Sequence, residues 1–275
     1  MTNKLFSLLS NSIQNPAVMG ILNVTPDSFF DDSRCVSECK IVERVEQMIA
    51  EKVDILDIGG CSTRPDSTTV SAEQEYKRLD NAMDIIRRQF PTLPISIDTF
   101  RADIVQHLFD KYGAFIVNDI SAGEDDKNMI STVANLQIPY IAMHKRGTPQ
   151  TMQQLTNYDN VVEEVKNYLK NKIAELQEKG IHKIVIDPGF GFAKTIEQNY
   201  ILLRQLKEFT TLGAPLLIGI SRKAMLWKPL VSSPSEVLSA TSALHLQTLL
   251  DGANILRVHD VKEAKQMIAL AKLLQ

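Results

Sequence analysis

The sequence lacks paired cysteines. Its three, Cys35, Cys39 and Cys61, are odd in number and contain no C-x-x-C spacing. That excludes a disulfide-stapled scaffold and a structural zinc site, and suits a reducing compartment. Long apolar runs are also missing. The opening stretch MTNKLFSLLSNSIQNP interrupts its few apolar residues with Ser and Asn, too short for a secretory signal, and no run reaches the roughly 18 residues of a membrane span. The expectation is a cytoplasmic protein that neither crosses nor coats a membrane. Charge of one sign is lacking as well: 30 Lys and Arg face 33 Asp and Glu, a net charge of −3. No global field then favours nucleic acid, and any anionic ligand must be held by a local basic cluster. No linker, low-complexity tract or charge block divides the chain. One domain over 1–275 is expected, with 1–16 as an N-terminal extension.

What is present is a repeat of pattern. Short β-branched runs occupy 17–24, 53–60, 94–99, 114–120, 138–144, 183–188, 215–221 and 254–260. Helix-length amphipathic stretches follow them near 38–52, 71–90, 101–112, 125–136, 159–179, 196–208, 234–250 and 260–274. Near-continuous apolar strands alternating with helices imply a parallel sheet with its outer face covered. Eight such units favour closure into a (β/α)8 TIM barrel over an open doubly wound sheet.

The stretch KIVIDPGFGFAK (183–194) raises a question of chemistry. Asp187 ends an apolar strand, where a carboxylate is costly unless something pairs with it. The Gly-x-Gly after it lacks the helix-side glycine of a dinucleotide loop, and Pro188 stiffens the turn, so that reading is set aside. The other strand ends are similar: Asn23, Asp57, Asp98, Asn118, His144, then Ser221 with Arg222 and Lys223, then Arg257 and His259. In a barrel these all lie at the C-terminal face, where active sites are built. Turns are polar anyway, but that explains a polar group at nearly every strand poorly. Two loops on this face, 23–34 and 59–69, are long and mix Pro with Gly and hydroxyl residues, as binding loops and lids do.

In chain order, the stretches MGILNVTPDSF, DIGGCSTRP, SIDT, VNDIS, MHKRGTPQTMQ, DPGFGFAKT, GISRK and RVHDV resemble the dihydropteroate synthase family over residues 19 to 261. The resemblance implies a (β/α)8 barrel that joins a pterin pyrophosphate to p-aminobenzoate. A pterin presents a 2-amino group beside a ring N–H, and a carboxylate accepts both together. By resemblance Asp98, Asn118 and Asp187 bind that ring, with Asp57, Gly219 and Lys223 close by and Phe192 and Met143 as apolar walls. Arg64, Arg257 and His259 are expected to hold the pyrophosphate, with Mg²⁺ on Asn23. Thr63, Pro65, Ser221 and Lys223 are the expected p-aminobenzoate contacts, and Asp27 is placed to shield a pterin cation. The family also implies a homodimer.

Plainer readings stay open at single positions. Asp187 could cap a helix after Pro188, Ser221 could cap a short helix, His259 could cap the last helix with Asp260, and Arg64 or Arg257 could serve a structural ion pair. Lys223 could also suggest a Schiff base, although nothing nearby marks a carbonyl substrate. A related barrel that transfers methyl groups to a corrinoid protein would share the pterin carboxylates but not NVTPDSF, STRP or SRK. A non-catalytic pterin-binding protein is a further alternative. Cys61, Asp66 and Lys145 depart from the family pattern, and none of them is an inferred pterin or phosphate group.

Overall fold

Eight apolar strands close on themselves in the computed structural model, which describes residues 2–11, 14–25, 34–61, 70–148 and 150–274. They are β1 (Ala17–Asn23), β2 (Ile55–Gly59), β3 (Ile95–Asp98), β4 (Ile116–Asp119), β5 (Tyr140–Met143), β6 (Ile184–Asp187), β7 (Leu217–Ile218) and β8 (Ile255–Val258). Every pairing is parallel, in the order β6-β5-β4-β3-β2-β1-β8-β7. The ends of that order meet where Ile186 bridges Leu216 and the Ile186 N–H donates to the Pro215 carbonyl at 2.9 Å. The expected (β/α)8 barrel is what forms. Strand side chains on both faces are sealed: Ile55, Leu56, Ile58, Ile95, Ile97, Val117 and Ile141 are all fully buried. Each such side chain contributes about 1.5–3 kcal/mol by leaving water.

The helices that cover the sheet carry their own start signals. After α1 (Thr2–Asn11) and α2 (Arg34–Ala50), α3 (Ala72–Gln89) starts at Ser71, whose hydroxyl accepts from the Gln74 N–H. Helices α4 (Ala102–Tyr112) and α5 (Met129–Leu136) precede α6 (Val161–Glu178), where Asn160 accepts from the N–H groups of Val162 and Glu163. Helix α7 (Ile196–Arg204) opens on a reciprocal capping box between Thr195 and Gln198. The chain continues through α8 (Lys207–Thr210), α9 (Ala224–Trp227), α10 (Leu238–Leu250) and α11 (Val261–Leu274). No helix among the described residues is long and apolar enough to cross a membrane.

Several features differ from the sequence expectation, among them the short helix α9, which falls in none of the expected helical stretches. The N-terminal stretch forms α1 and packs Leu5 and Leu9 into the core, because those two residues fall one helical turn apart on one face. The helix expected over 196–208 divides into α7 and α8 at Gln205. Strand β7 is shorter than its apolar run, since the Leu216 N–H turns to the Asn254 side chain at 2.7 Å instead of a backbone acceptor.

Register positions the chemistry. Asn23 pairs with Gly59, Gly59 with Asp98, and Asp98 with Asn118, so their side-chain directions share one face of the sheet. Met143 pairs with Asp187, two residues beyond the Asn118–Ile141 pair, and therefore on the same face. Met19 pairs with Arg257, which extends this inward set around β1 to β8.

Candidate active site

Two carboxylates grip one guanidinium inside the barrel. Arg257 Nε donates to Asp57 Oδ2 at 2.7 Å, and Arg257 Nη2 donates to Asp98 Oδ2 at 2.7 Å. Asp57 is fully buried and also accepts from Asn118 Nδ2 at 3.2 Å. The ion-pair alternative for Arg257 is thus realised, and it carries the guanidinium into the same chamber as the strand-end acids. Burial pushes the Asp98 carboxyl upward while Arg257 opposes it. Burial likewise works against the Arg257 cation, but Asp57 and Asp98 outweigh it and raise its value.

Asp187 answers the question raised by its position. Its Oδ1 accepts from the Gly189 N–H at 2.7 Å, a local turn bond two residues on, not a cap on α7, which Thr195 caps. A Cβ added at Gly219 would lie 3.9 Å from Asp187 Oδ2 and 4.0 Å from Arg257 Cβ. Gly219 therefore leaves space open between Asp187 and the Arg257 side chain. Asp98, which bonds the Arg257 guanidinium, and Asp187, which borders Gly219 beside the same arginine, thus approach one space from β3 and β6. Burial raises the Asp187 carboxyl, with Lys223 and the Gly189 N–H opposing.

The turn after Asp187 is held by a lysine that sequence reasoning missed. Lys194 is buried and directs Nζ at His144 Nδ1, Gly189 O and Phe192 O, each at 3.0 Å. Three ammonium donors meet three acceptors. Burial nevertheless brings Lys194 down to about 7, against the pull of Asp187, and burial beside Lys194 and Arg146 takes His144 down to about 2, so that ring stays neutral. The available signal was a lysine closing an otherwise apolar, glycine-rich turn. Gly189 sits at φ +71°, and a Cβ there would fall 1.9 Å from the His144 carbonyl oxygen. Lys223 bonds the Phe190 carbonyl and lies 4.4 Å from the centre of the Phe192 ring. Burial lowers Lys223 to about 8, partly offset by Asp187. Met143 is buried next to Asp187 in the sheet, whereas Phe192 is only partly covered.

At the β7–β8 corner, Ser221 Oγ lies 3.0 Å from His259 Nδ1 and accepts from the His259 N–H at 3.2 Å. Ser221 does not cap α9; Lys223 occupies that position, without a side-chain cap bond. Asp260 is tied to Arg222 by bonds of 3.1 and 2.5 Å. A cavity of about 480 Å³ opens here, lined by Ile21, Asn23, Arg44, Gln47, Arg222, His259 and Asp260. Arg222 holds a left-handed backbone at φ +58°, a cost of order 1–3 kcal/mol for a non-glycine residue. Neither Arg44 nor Gln47 was singled out from sequence.

Asp27, Thr63, Arg64, Pro65 and Asp66 lie outside the described residues. The roots of the second loop are described. Arg78 donates to the Gly60 carbonyl at 2.9 Å and Arg101 to the Val70 carbonyl at 2.7 Å. Arg101 also pairs at 2.8 Å with fully buried Glu75, which accepts from Thr99, the neighbour of Asp98, at 2.7 Å. The first end of that loop is thus tied to α3 through Arg78, and the second, through Arg101 and Glu75, to Thr99 beside Asp98. Cys61 sits at this root, its thiol pushed up first by burial and then by Glu75. Lys145, the other departure from the family pattern, is buried and paired with Asp125 at 2.8 Å and with the Gly147 carbonyl.

Among the described residues no group of three His, Cys, Asp or Glu side chains could hold a metal by itself. The Asn23 amide oxygen stands 3.2 Å from where a Gly59 Cβ would be, and Asp98 Oδ2 stands 3.8 Å from the same point. Such a sparse, hard-oxygen set fits Mg²⁺ that brings most of its ligands as phosphate and water.

A closed barrel with acids, an amide and cations converging at its C-terminal mouth defines an enzyme of the (β/α)8 class acting on a small, polar, partly anionic molecule. Comparison with known proteins narrows the class. Residues 19–259 match the family described as pterin binding enzyme. The chain is 39% identical to dihydropteroate synthase of Escherichia coli K12 over 265 residues, 96% of this chain and 93% of that protein. Among solved structures it is similar to Xanthomonas albilineans dihydropteroate synthase with 4-aminobenzoic acid, with a TM-score of 0.86 and 34% identity, covering 96% of this chain and 94% of that one. The same enzyme in complex with 7,8-dihydropteroate gives a TM-score of 0.83 and 32% identity, over 96% and 95% of the two chains. The chain belongs to the pterin-binding enzyme family and, within it, to the dihydropteroate synthases.

Proposed function

We propose that the chain is a transferase that condenses 6-hydroxymethyl-7,8-dihydropterin pyrophosphate with p-aminobenzoate, giving 7,8-dihydropteroate and pyrophosphate in folate biosynthesis. The observation that carries this reading is the convergence of Asp98 and Asp187 on the space beside Gly219 and Arg257. The relatives with 4-aminobenzoic acid and 7,8-dihydropteroate support both substrates.

The Asp187 carboxylate accepts the pterin 2-amino and ring N–H fork, a charge-assisted pair. Asn118 spends its N–H₂ on Asp57, so its amide oxygen is the atom left to accept from the ring. The C–O bond between pterin methylene and pyrophosphate breaks with its electron pair leaving on the phosphate. The arylamine lone pair then forms the C–N bond, and the nitrogen loses a proton. The negative charge of Asp98 and Asp187 favours the cation formed between these events. Lys223, fixed over Phe192, and Ser221 are the groups proposed for the p-aminobenzoate carboxylate, with Thr63 and Pro65 from the second loop. Arg64, Arg257 and His259 are the groups proposed for the pyrophosphate, and Asp27 is proposed to shield the cation. Asn23 would be the protein residue holding a Mg²⁺ ion, which would supply charge neutralisation at the leaving group.

We place the enzyme in the cytoplasm, in keeping with Cys39 and Cys61 forming no disulfide among the described residues. We also place it in a homodimer, supported by the exposed Leu270, Leu273 and Leu274 on α11. The test is mass-spectrometric detection of 7,8-dihydropteroate from pterin pyrophosphate, p-aminobenzoate and Mg²⁺. Pterin binding without product would refute the reading in favour of a non-catalytic binder.

A further inference from the structure

We infer that Arg44 is a further anion-binding residue of the site, one that takes the outer phosphoryl group of the departing pyrophosphate. The inference rests on the proposed function for the identity of the anion.

Helix α2 carries Arg44 to the turn after β8, 215 residues away in sequence, where Nη2 donates to the His259 carbonyl at 2.6 Å. Nη1 donates to Gln47 Oε1 at 2.8 Å. Both acceptors are neutral, and among the described residues no carboxylate pairs with Arg44. The other guanidiniums of this region are compensated: Arg222 by Asp260, and Arg257 by Asp57 and Asp98. A guanidinium has five N–H donors in a fixed planar fork, and two are used here. Arg44 therefore brings an uncompensated charge and three remaining donors to the cavity that Asn23 and His259 also line. A planar cation with spare donors is suited to bidentate phosphate recognition. The bond to the His259 carbonyl links Arg44 to the backbone of a residue assigned to the same anion.

A freely solvated arginine would need none of this. It would have no reason to be tied to the His259 backbone, and its removal would not distinguish one phosphate from two. Asn23 and His259 are assigned to one phosphoryl group, and Arg44, which lines the same cavity from α2, to the second.

Isothermal titration calorimetry with Mg²⁺ separates these cases, using inorganic pyrophosphate, inorganic phosphate and 6-hydroxymethylpterin as probes. Arg44→Gln is expected to weaken pyrophosphate about tenfold or more while changing phosphate and pterin affinity less than about twofold. Arg44→Lys is expected to recover part of the loss. Pyrophosphate binding by Arg44→Gln within about twofold of the wild type overturns the inference, and so does an equal loss for all three probes, which marks a structural role. The product assay on the wild type is independent. Absence of dihydropteroate there refutes the proposed reaction, whereas a silent Arg44→Gln refutes only this inference.

Discussion

Replacing Lys194 by Met isolates the energetic cost of a cation inside the barrel wall. The side chain is nearly the same size, so packing is largely kept, but the ammonium and its three bonds to His144, Gly189 and Phe192 are lost. Leaving acceptors unpaired costs about 1–3 kcal/mol each, while removing the buried charge returns its desolvation cost. These offsets oppose each other, so the absolute change in stability is a poor reading; the pH dependence is a clear one. Lys194 falls from 10.5 in the unfolded chain to about 7 in the folded one. Between those values the unfolded state holds a proton that the folded state has released, so stability rises with pH. The slope is about 1.4 kcal/mol per unit. Below about pH 7 both states are protonated and the full cost, about 5 kcal/mol, is carried by the folded form. Urea unfolding of wild type and Lys194→Met between about pH 7.5 and 9.5 measures the difference directly. The wild type should gain about 2.7 kcal/mol relative to the variant across that span. A difference that does not change with pH would refute the reasoning, and would mean that Lys194 stays charged throughout on the strength of its three bonds.

Other perturbations test the site more locally. Lys223→Ala and Arg257→Ala should each lower turnover at least about tenfold, equivalent to about 1.4 kcal/mol of transition-state stabilisation, in an assay of pyrophosphate release. Turnover within about twofold for both would unseat their assignment. Gly189→Ala should lower the melting temperature and pterin affinity together, because its Cβ would overlap the His144 carbonyl and its φ of +71° disfavours any side chain. Unchanged pterin binding in that variant would show that the turn does not position Asp187.

Strand ends were legible because the barrel repeats one rule eight times: an apolar run sealed on both faces, then a polar residue at the mouth. That rule alone brought out Asp57, Asp98, Asn118, Asp187 and Arg257, and the structure gathers them through register. Which acid would pair with Arg257 was not legible, since Asp57 and Asp98 are 200 and 159 positions away from it. Lys194 was missed for a related reason: surface lysines are common, and beyond its place in a glycine-rich turn only the fold shows that this one points inward at three acceptors. Arg44 reads as one polar position on an amphipathic helix until the β8 turn is placed beside it. The contraction of β7 came from a side chain, Asn254, taking the bond that its neighbour strand would have provided. Asp187 was open to a capping role from sequence because a Pro-Gly turn and a helix follow it; Thr195 takes the cap and leaves the acid to the barrel.

Calorimetry of two flat heterocycles that differ only at their amino edge tests the central claim most directly. If the carboxylates on β3 and β6 read that edge, the protein should bind a pterin at least about a hundredfold more tightly than the matching ring with oxygen in place of the 2-amino group, because the latter leaves buried acceptors unpaired. Asp187→Ala should erase most of that preference. Equal affinity of the wild type for the two rings, or a preference that survives Asp187→Ala intact, would contradict the account.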